Sequence, residues 1–218
     1  MAQQTAPLRV DIASDVVCPW CAIGYHQLAK ASRETGIAID VHWHPFELNP
    51  NMPAEGENLR AHLAAKYGTT PEDSRSARAR ITEIGAALGF RFEYAEDMRM
   101  FNTFRAHQLI DWAGGYGKAH EAKLALLEAY FRRRENISDP EVLAEVAAGV
   151  GLDRADALAM LASGERAAAV RELARRWRER GVRGVPTMLF GGKHLVTGAL
   201  GEAAYASILH DITAARAA

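Results

Sequence analysis

LRVDIASDVVCPWC, at residues 8–21, is the segment from which the fold of this chain can be worked out. Leu8–Ala13 alternates weakly between apolar and polar residues and is bounded by turn-forming residues, which predicts a short strand. Pro19–Thr35 follows with apolar residues at helical spacing, and Gly36 is placed to end a helix. The two cysteines, Cys18 and Cys21, therefore stand where a predicted strand passes into a predicted helix.

A second strand is predicted directly after this helix. Ile37–His44 alternates apolar and polar residues, the pattern of a strand with one buried face. Strand–helix–strand units favour parallel pairing of the two strands through a right-handed crossover. The next stretch, PFELNPNMP at residues 45–53, holds three prolines and two asparagines and marks the first candidate boundary.

After this boundary the strand signal disappears for more than a hundred residues and helical patterns replace it. Asp139 is placed as an N-cap with Pro140 at the first helical position, and Thr70 with Pro71 forms a similar start. The predicted helices are Asn58–Tyr67, Pro71–Leu88, Thr103–Trp112, Lys118–Phe131, Pro140–Val150 and Arg154–Ser163.

Strand patterns return near the end of the chain. A helix over Glu165–Arg180 leads to an apolar run, Thr187–Phe190, and a second arm, Lys193–Thr197, around a Gly-Gly turn. Gly201–Ala214 is predicted as a closing helix. Without the central helices the order is βαβαββα, so the sequence predicts an α/β, thioredoxin-like fold with a large all-helical insertion. The predicted units are residues 1–50 and 165–218 for the thioredoxin-like part and 51–164 for the insertion.

Composition excludes several classes of function. The 218 residues carry a formal net charge of −1, which gives no reason to expect nucleic acid or an anionic membrane as partner. No basic-then-apolar leader pattern is visible, and no run reaches the about 18 apolar residues of a membrane span, so we predict a cytoplasmic protein. Structural disulfides are rare in that compartment, so two cysteines three positions apart favour a redox pair or half of a metal site.

The placement of Cys18 and Cys21 favours redox chemistry. A helix N-terminus carries partial positive charge and free N–H groups, and both stabilise a thiolate. One thiol can attack a disulfide and the other can resolve the mixed disulfide. Zinc requires four ligands, and neither a second Cys-x-x-Cys nor a further cysteine near His42 and His44 exists, so no metal is predicted. A pair of inert, buried cysteines is the other alternative.

A late proline is the second feature of interest. Val185-Pro186 stands at the entrance of a predicted strand, where proline is tolerated. Together with the Cys-x-x-Cys pair, it leads us to predict a cis peptide bond that turns the Val185 backbone toward the thiols, where it can pair with an extended substrate. An ordinary trans proline at a strand start is the alternative.

Five motifs, VVCPWC, HPFELNPNMP, FNTFRAH, ISDPEVLAE and GVRGVPTMLFGGKHLVTGA, resemble the FrnE-like branch of DsbA-type thioredoxin-fold proteins. The similarity covers about residues 8–213. It implies a protein-disulfide oxidoreductase or isomerase with Cys18 as the attacking thiol and Cys21 as the resolving thiol. Trp20 stands where the periplasmic DsbA pattern has histidine, so reducing, oxidising and isomerising roles remain open.

The same resemblance extends to 2-hydroxychromene-2-carboxylate isomerases and kappa-class glutathione transferases, which typically have serine at the position of Cys18. A glutathione-dependent isomerase or transferase acting on an aromatic or polyketide-like small molecule is therefore the second hypothesis. A binding module with vestigial thiols is the third. We predict no tightly bound cofactor, glutathione as a redox partner, a thiol- or disulfide-containing protein or small molecule as substrate, and a monomer or homodimer.

Other residues are weaker candidates. Pro19 and Trp20 lie inside the Cys-x-x-Cys pair and are predicted to face substrate. Asn102 and His107 are candidates for the lining of a cleft. Alternatively, Asn102 caps a helix and His107 is a packed core residue. Asp15, three positions before Cys18, is interpreted as a turn or capping residue, with a role in thiol ionisation as the alternative.

Overall fold

The computed structural model describes residues 6–217, and a four-stranded sheet lies at its centre. The strands are β1 (Leu8–Ser14), β2 (Ile39–Pro45), β3 (Glu57–Asn58), β4 (Arg99–Met100), β5 (Thr187–Phe190) and β6 (His194–Thr197). The helices are α1 (Pro19–Thr35), α2 (Leu59–Tyr67), α3 (Pro71–Ala87), α4 (Phe104–Gly114), α5 (Ala119–Phe131), α6 (Pro140–Gly149), α7 (Arg154–Ser163), α8 (Ala167–Glu179) and α9 (Glu202–Ala217). None of the described helices is long and apolar enough to cross a membrane.

The central sheet has the order β2-β1-β5-β6. β1 and β2 are parallel, with Leu8 opposite Ile39, as the strand–helix–strand pattern predicts. β5 runs antiparallel to both β1 and β6. The β5–β6 turn has Gly191 and Gly192 at its centre with φ angles of 56° and 74°, a left-handed conformation that favours glycine. The thioredoxin-like α/β fold is thus confirmed.

Helices cover both faces of this sheet. On one face α1 and α9 pack over β1 and β5, and Val10, Ile12 and Phe190 are fully buried beneath them. On the other face α8 packs against β2, and its Trp177 joins a small cluster with Phe46. Alternate residues of β1 point to opposite faces, and Asp11, Ile12, Ala13 and Ser14 are all buried, so both faces of its carboxyl end are covered.

The six helices between β2 and α8 form a second, larger core, and they define the helical segment of the protein. Asp139 and Thr70 cap α6 and α3 as predicted, and Thr70 does so in a capping box with Asp73. This core also includes Val16, Val17 and Ile23 from the thioredoxin part. The helical segment therefore packs directly on the loop between β1 and α1. The division of the chain at residues 50 and 164 stays a prediction.

The expectation that the helical segment holds no strand was wrong. β3 and β4 pair antiparallel, with Glu57 opposite Met100 and Asn58 opposite Arg99. Two residues are too few to show an alternating pattern, so neither strand is predictable from the sequence. The Arg99 guanidinium strengthens the pairing by donating to the carbonyl oxygens of residues 55 and 56.

We predict that Gly56 is needed for this strand pair. A Cβ at Gly56 would overlap the Met100 carbonyl oxygen and lie 2.8 Å from the Phe101 ring, whereas a Cβ at Gly36 meets nothing within 4 Å. Both glycines have a φ of 69°, so Gly36→Ala reports the backbone cost alone, about 1–2 kcal/mol. Gly56→Ala should lose about 1–3 kcal/mol more in urea unfolding. Equal losses would contradict the steric argument.

Candidate active site

The two cysteines lie one above the other at the start of α1. Cys18 is the N-cap residue, with extended backbone at φ −90° and ψ 112°, and Pro19 occupies the first helical turn. The Cys21 N–H donates to the Cys18 carbonyl oxygen at 3.1 Å. Both residues are free thiols, 4% and 0% exposed respectively. Cys18 therefore faces outward from the first turn, and Cys21 lies completely inside it.

The Val185–Pro186 peptide bond is cis, which confirms the prediction for this loop. The Val185 carbonyl oxygen lies 3.7 Å from the Cys18 sulfur and accepts a hydrogen bond from its thiol. The loop that enters β5 thus meets the N-terminus of α1, although the two segments are far apart in the sequence.

The two thiols influence each other's ionisation. The neighbouring Cys21 sulfur raises the pKa of the Cys18 thiol well above its usual value, and burial adds to this effect. Burial also acts to raise the pKa of Cys21, but the hydrogen bond from Cys18 and the charge of Lys123 outweigh it and lower that pKa. The groups around the pair therefore favour a thiolate at Cys21 over one at Cys18.

Asp15 anchors the loop that carries the thiols. Its carboxylate is 1% exposed and accepts hydrogen bonds from the Val16 N–H at 2.8 Å and the Leu48 N–H at 2.7 Å. Nε2 of His107 lies 3.4 Å from its Oδ1. Burial acts to raise the pKa of Asp15, but His107 and the Leu48 amide outweigh it, so Asp15 stays charged. These hydrogen bonds within the loop agree with the interpretation of Asp15 as a turn residue.

An apolar cleft of about 400 Å³ opens beside Cys18. Pro19, Trp20 and Val185 form one wall, and Trp20 is 38% exposed. The opposite wall comes from the helical segment, and its apolar residues include Leu59, Leu63, Tyr67, Ile81, Tyr94, Met100 and Phe131. Sequence reasoning missed this wall, because its residues come from α2, α3, α5, β4 and the loop before β4, and each resembles an ordinary core residue.

The remaining candidates, Asn102 and His107, are not among the residues that line this cleft. The Asn102 side chain donates to the Met52 carbonyl oxygen at 2.9 Å and accepts from the Phe104 N–H at the start of α4. His107 is 3% exposed and lies behind the thiols, beside Asp15. Both side chains join segments of the fold in the structure, and their part in substrate binding stays a prediction.

A thioredoxin-like sheet, a Cys-x-x-Cys pair at the start of the first helix and a cis proline beside it define the thioredoxin class of redox proteins. The chain belongs to the DSBA-like thioredoxin domain family, which residues 9–210 match.

Solved structures agree with this assignment. A probable DsbA oxidoreductase from Streptomyces coelicolor is 28% identical, with a TM-score of 0.88 over 94% of this chain and 89% of the other. A 2-hydroxychromene-2-carboxylate isomerase has a TM-score of 0.71 at 17% identity, over 96% and 98% of the two chains. The cytosolic disulfide reductase DsbM from Pseudomonas aeruginosa, solved with GSH, has a TM-score of 0.63 at 20% identity, over 94% and 99%. The last two share the fold with this chain.

We predict that Asp15→Asn destabilises the protein in a pH-dependent way. Asn cannot accept both loop N–H groups and keep the charge beside His107, so urea unfolding at pH 7 should show a loss of about 1–3 kcal/mol. Because the folded-state pKa of Asp15 is lowered, its contribution is complete above the usual Asp pKa and falls as pH drops below it. The difference between wild type and variant should therefore shrink below about pH 4.

Asp97→Asn is the control, since the Asp97 side chain is 87% exposed and the change should be within about 0.5 kcal/mol. A loss at Asp15 that stays the same from pH 7 to pH 3 would contradict the charged state of this carboxylate.

Proposed function

We propose that this protein is a thiol–disulfide oxidoreductase in which Cys18 forms a mixed disulfide with substrate and Cys21 resolves it. One observation carries the proposal: two free thiols share the first turn of α1, and only Cys18 reaches the substrate-sized cleft. The fully buried Cys21 is placed to act on Cys18 and not on an incoming substrate.

The chemistry proceeds in two exchanges. When Cys18 attacks a substrate disulfide, its proton is released to water, one substrate sulfur leaves as a thiolate, and a Cys18–substrate bond forms. Cys21 then attacks the Cys18 sulfur, the Cys18–Cys21 disulfide forms, and the second substrate sulfur leaves. The pair has lost two electrons and the substrate has gained them, and the reverse sequence oxidises a dithiol.

The Val185 backbone supports substrate alignment. Its carbonyl oxygen faces Cys18 at 3.7 Å, and an extended chain in the cleft can pair with the backbone at this point. The apolar walls favour a disulfide or thiol that carries an apolar group, in a peptide or in a small molecule. We place the protein in the cytoplasm, as the cytosolic disulfide reductase of the same fold suggests.

Replacement of the cysteines tests this function. Cys18→Ser should abolish insulin reduction by the protein in the presence of a thiol reductant, because no mixed disulfide can form. Cys21→Ser should accumulate the mixed disulfide, visible as a mass increase that a reductant removes. Insulin reduction retained by Cys18→Ser would refute the proposal, as would a thiol pair that reacts with disulfides no faster than free cysteine does.

Glutathione is the redox partner that the cleft suits. Its two carboxylates require cations, and Lys66 and Arg78 lie in the cleft that Cys18 lines. The DsbM structure with GSH supports this assignment.

The apolar cleft also supports the second candidate, a glutathione-dependent isomerase or transferase, which the fold of the chromene-carboxylate isomerase favours. In that case Cys18→Ser would retain isomerase or transferase turnover, since the family members with that activity carry serine at this position.

We predict that Arg78→Ala weakens glutathione binding about fivefold, the effect of losing one exposed ion pair of about 1 kcal/mol. Calorimetry on Cys18→Ser protein measures binding without exchange. Arg80→Ala is the matched control, because Arg80 lies on the same helix and outside the cleft. Equal affinity in the two variants would remove Arg78 from the glutathione site.

A further inference from the structure

Lys123 is a lysine in the core of the protein. It lies on α5 and is 1% exposed, and its Nζ has no hydrogen-bond partner in the described part of the chain. Nζ lies 5.4 Å from the centroid of the Trp43 aromatic ring. An ammonium group in such a place is costly unless nearby negative charge compensates it. Burial lowers the pKa of Lys123 to about 8, while Cys21 and Asp15 act to raise it.

A second cavity, of about 240 Å³, lies at Lys123 and shares no lining residue with the substrate cleft. Its polar lining includes Ser14, His44, His107 and Asp111. The Ser14 hydroxyl and Nζ of Lys123 are buried without hydrogen-bond partners among the described residues, and Nε2 of His107 has the 3.4 Å contact with Asp15 but no hydrogen bond. Such a cavity suits water, and it lets Lys123 exchange a proton while substrate covers Cys18.

The mixed disulfide is the state in which Lys123 matters most. In the free dithiol, the hydrogen bond from Cys18 and the charge of Lys123 both favour the Cys21 thiolate. Once Cys18 is bonded to substrate it has no S–H to donate. The charge of Lys123 is then the largest remaining influence against the burial of Cys21, ahead of Ser14 and the Asp15 backbone, at the moment when Cys21 must attack.

We propose that Lys123 is a positioning residue for the redox pair, whose charge keeps Cys21 ionised in the mixed disulfide and so sets the rate of resolution. The proposal rests on the proposed function. In the step concerned, the Cys21 thiolate attacks the Cys18 sulfur, the Cys18–Cys21 disulfide forms, the Cys18–substrate bond breaks, and the departing sulfur leaves as a thiolate that can take a proton from water. The helical segment thus contributes to the chemistry as well as to the cleft.

The aromatic disulfide DTNB separates the two exchanges. The first thionitrobenzoate is released when Cys18 forms the mixed disulfide, and the second when Cys21 resolves it. Lys123→Met should slow the second phase about three- to tenfold near pH 7 and leave the first within about twofold. A pKa increase of one unit costs tenfold in thiolate, and the higher nucleophilicity of the more basic thiolate returns part of it. Lys118→Met, which removes an exposed lysine just before α5, should change neither phase.

The pH profile distinguishes charge from structure. The second phases of wild type and Lys123→Met should converge above about pH 8, where Lys123 loses its proton. Lys123→Arg keeps its charge there and should retain fast resolution. The other charged or titratable groups near Lys123 in the described part of the chain are Asp15, Cys18, Cys21, His42, His44, His107 and Asp111, and they are unchanged in all variants.

The outcomes separate this proposal from the proposed function. A wild-type protein that releases a single thionitrobenzoate, like Cys21→Ser, refutes the proposed function itself. If the wild type is biphasic and Lys123→Met has an identical second phase, only the role of Lys123 is refuted. The same holds if Lys123→Arg has the thermal stability of the wild type but still resolves the mixed disulfide slowly. If the variants do not fold, the wild-type second phase decides: a midpoint above the ordinary cysteine pKa of about 8.5 overturns the proposal.

Discussion

An ionised sulfur that has little contact with water must be stabilised by the groups around it, and this constraint governs the arrangement at the start of α1. Cys18 is nearly buried and Cys21 is completely buried, so solvent contributes little to either thiolate. At Cys21, the hydrogen bond from the Cys18 thiol and the charge of Lys123 stabilise the thiolate in place of solvent. A charged Asp15, held by two N–H groups and His107, keeps the loop that carries both sulfurs in position.

The helical segment has two roles that follow from its position. Its apolar side chains close the cleft beside Cys18 and limit the size and polarity of what can reach the sulfur. Helix α5 of the segment carries Lys123, whose charge acts on Cys21. One insertion thus forms a wall of the substrate cleft and also contributes the charge that we propose keeps Cys21 ionised.

Much of the fold could be predicted because its signals are local. Glycines, prolines and capping residues bound the helices, and Asp139 and Thr70 cap the helices that their positions indicate. β3 and β4 could not be predicted, because two-residue strands have no period and depend on pairing between distant segments. The cysteine pair and the cis proline were recognisable as motifs, whereas the far wall of the cleft was not.

Lys123 shows how a functional residue can be present in a pattern and still be missed. It occupies the first of the positions 123, 126, 127 and 130, which are otherwise apolar and share one face of α5. A lysine in such a stripe indicates a buried charge, but the pattern does not say which opposite charge it meets. That partner lies on α1, about a hundred residues earlier in the chain.

The sequence by itself determined the helices and the four strands of the central sheet in their order, the position of both thiols at a strand-to-helix junction and the proline that faces them, because each depends on neighbouring residues and their steric preferences. Tertiary structure alone decided that the charge of Lys123 acts on Cys21, that Asp15 is anchored by Leu48 and His107, and that an apolar cleft opens beside Cys18. The reason is that burial and electrostatic compensation depend on distances between segments far apart in the chain, which packing sets and local preference does not.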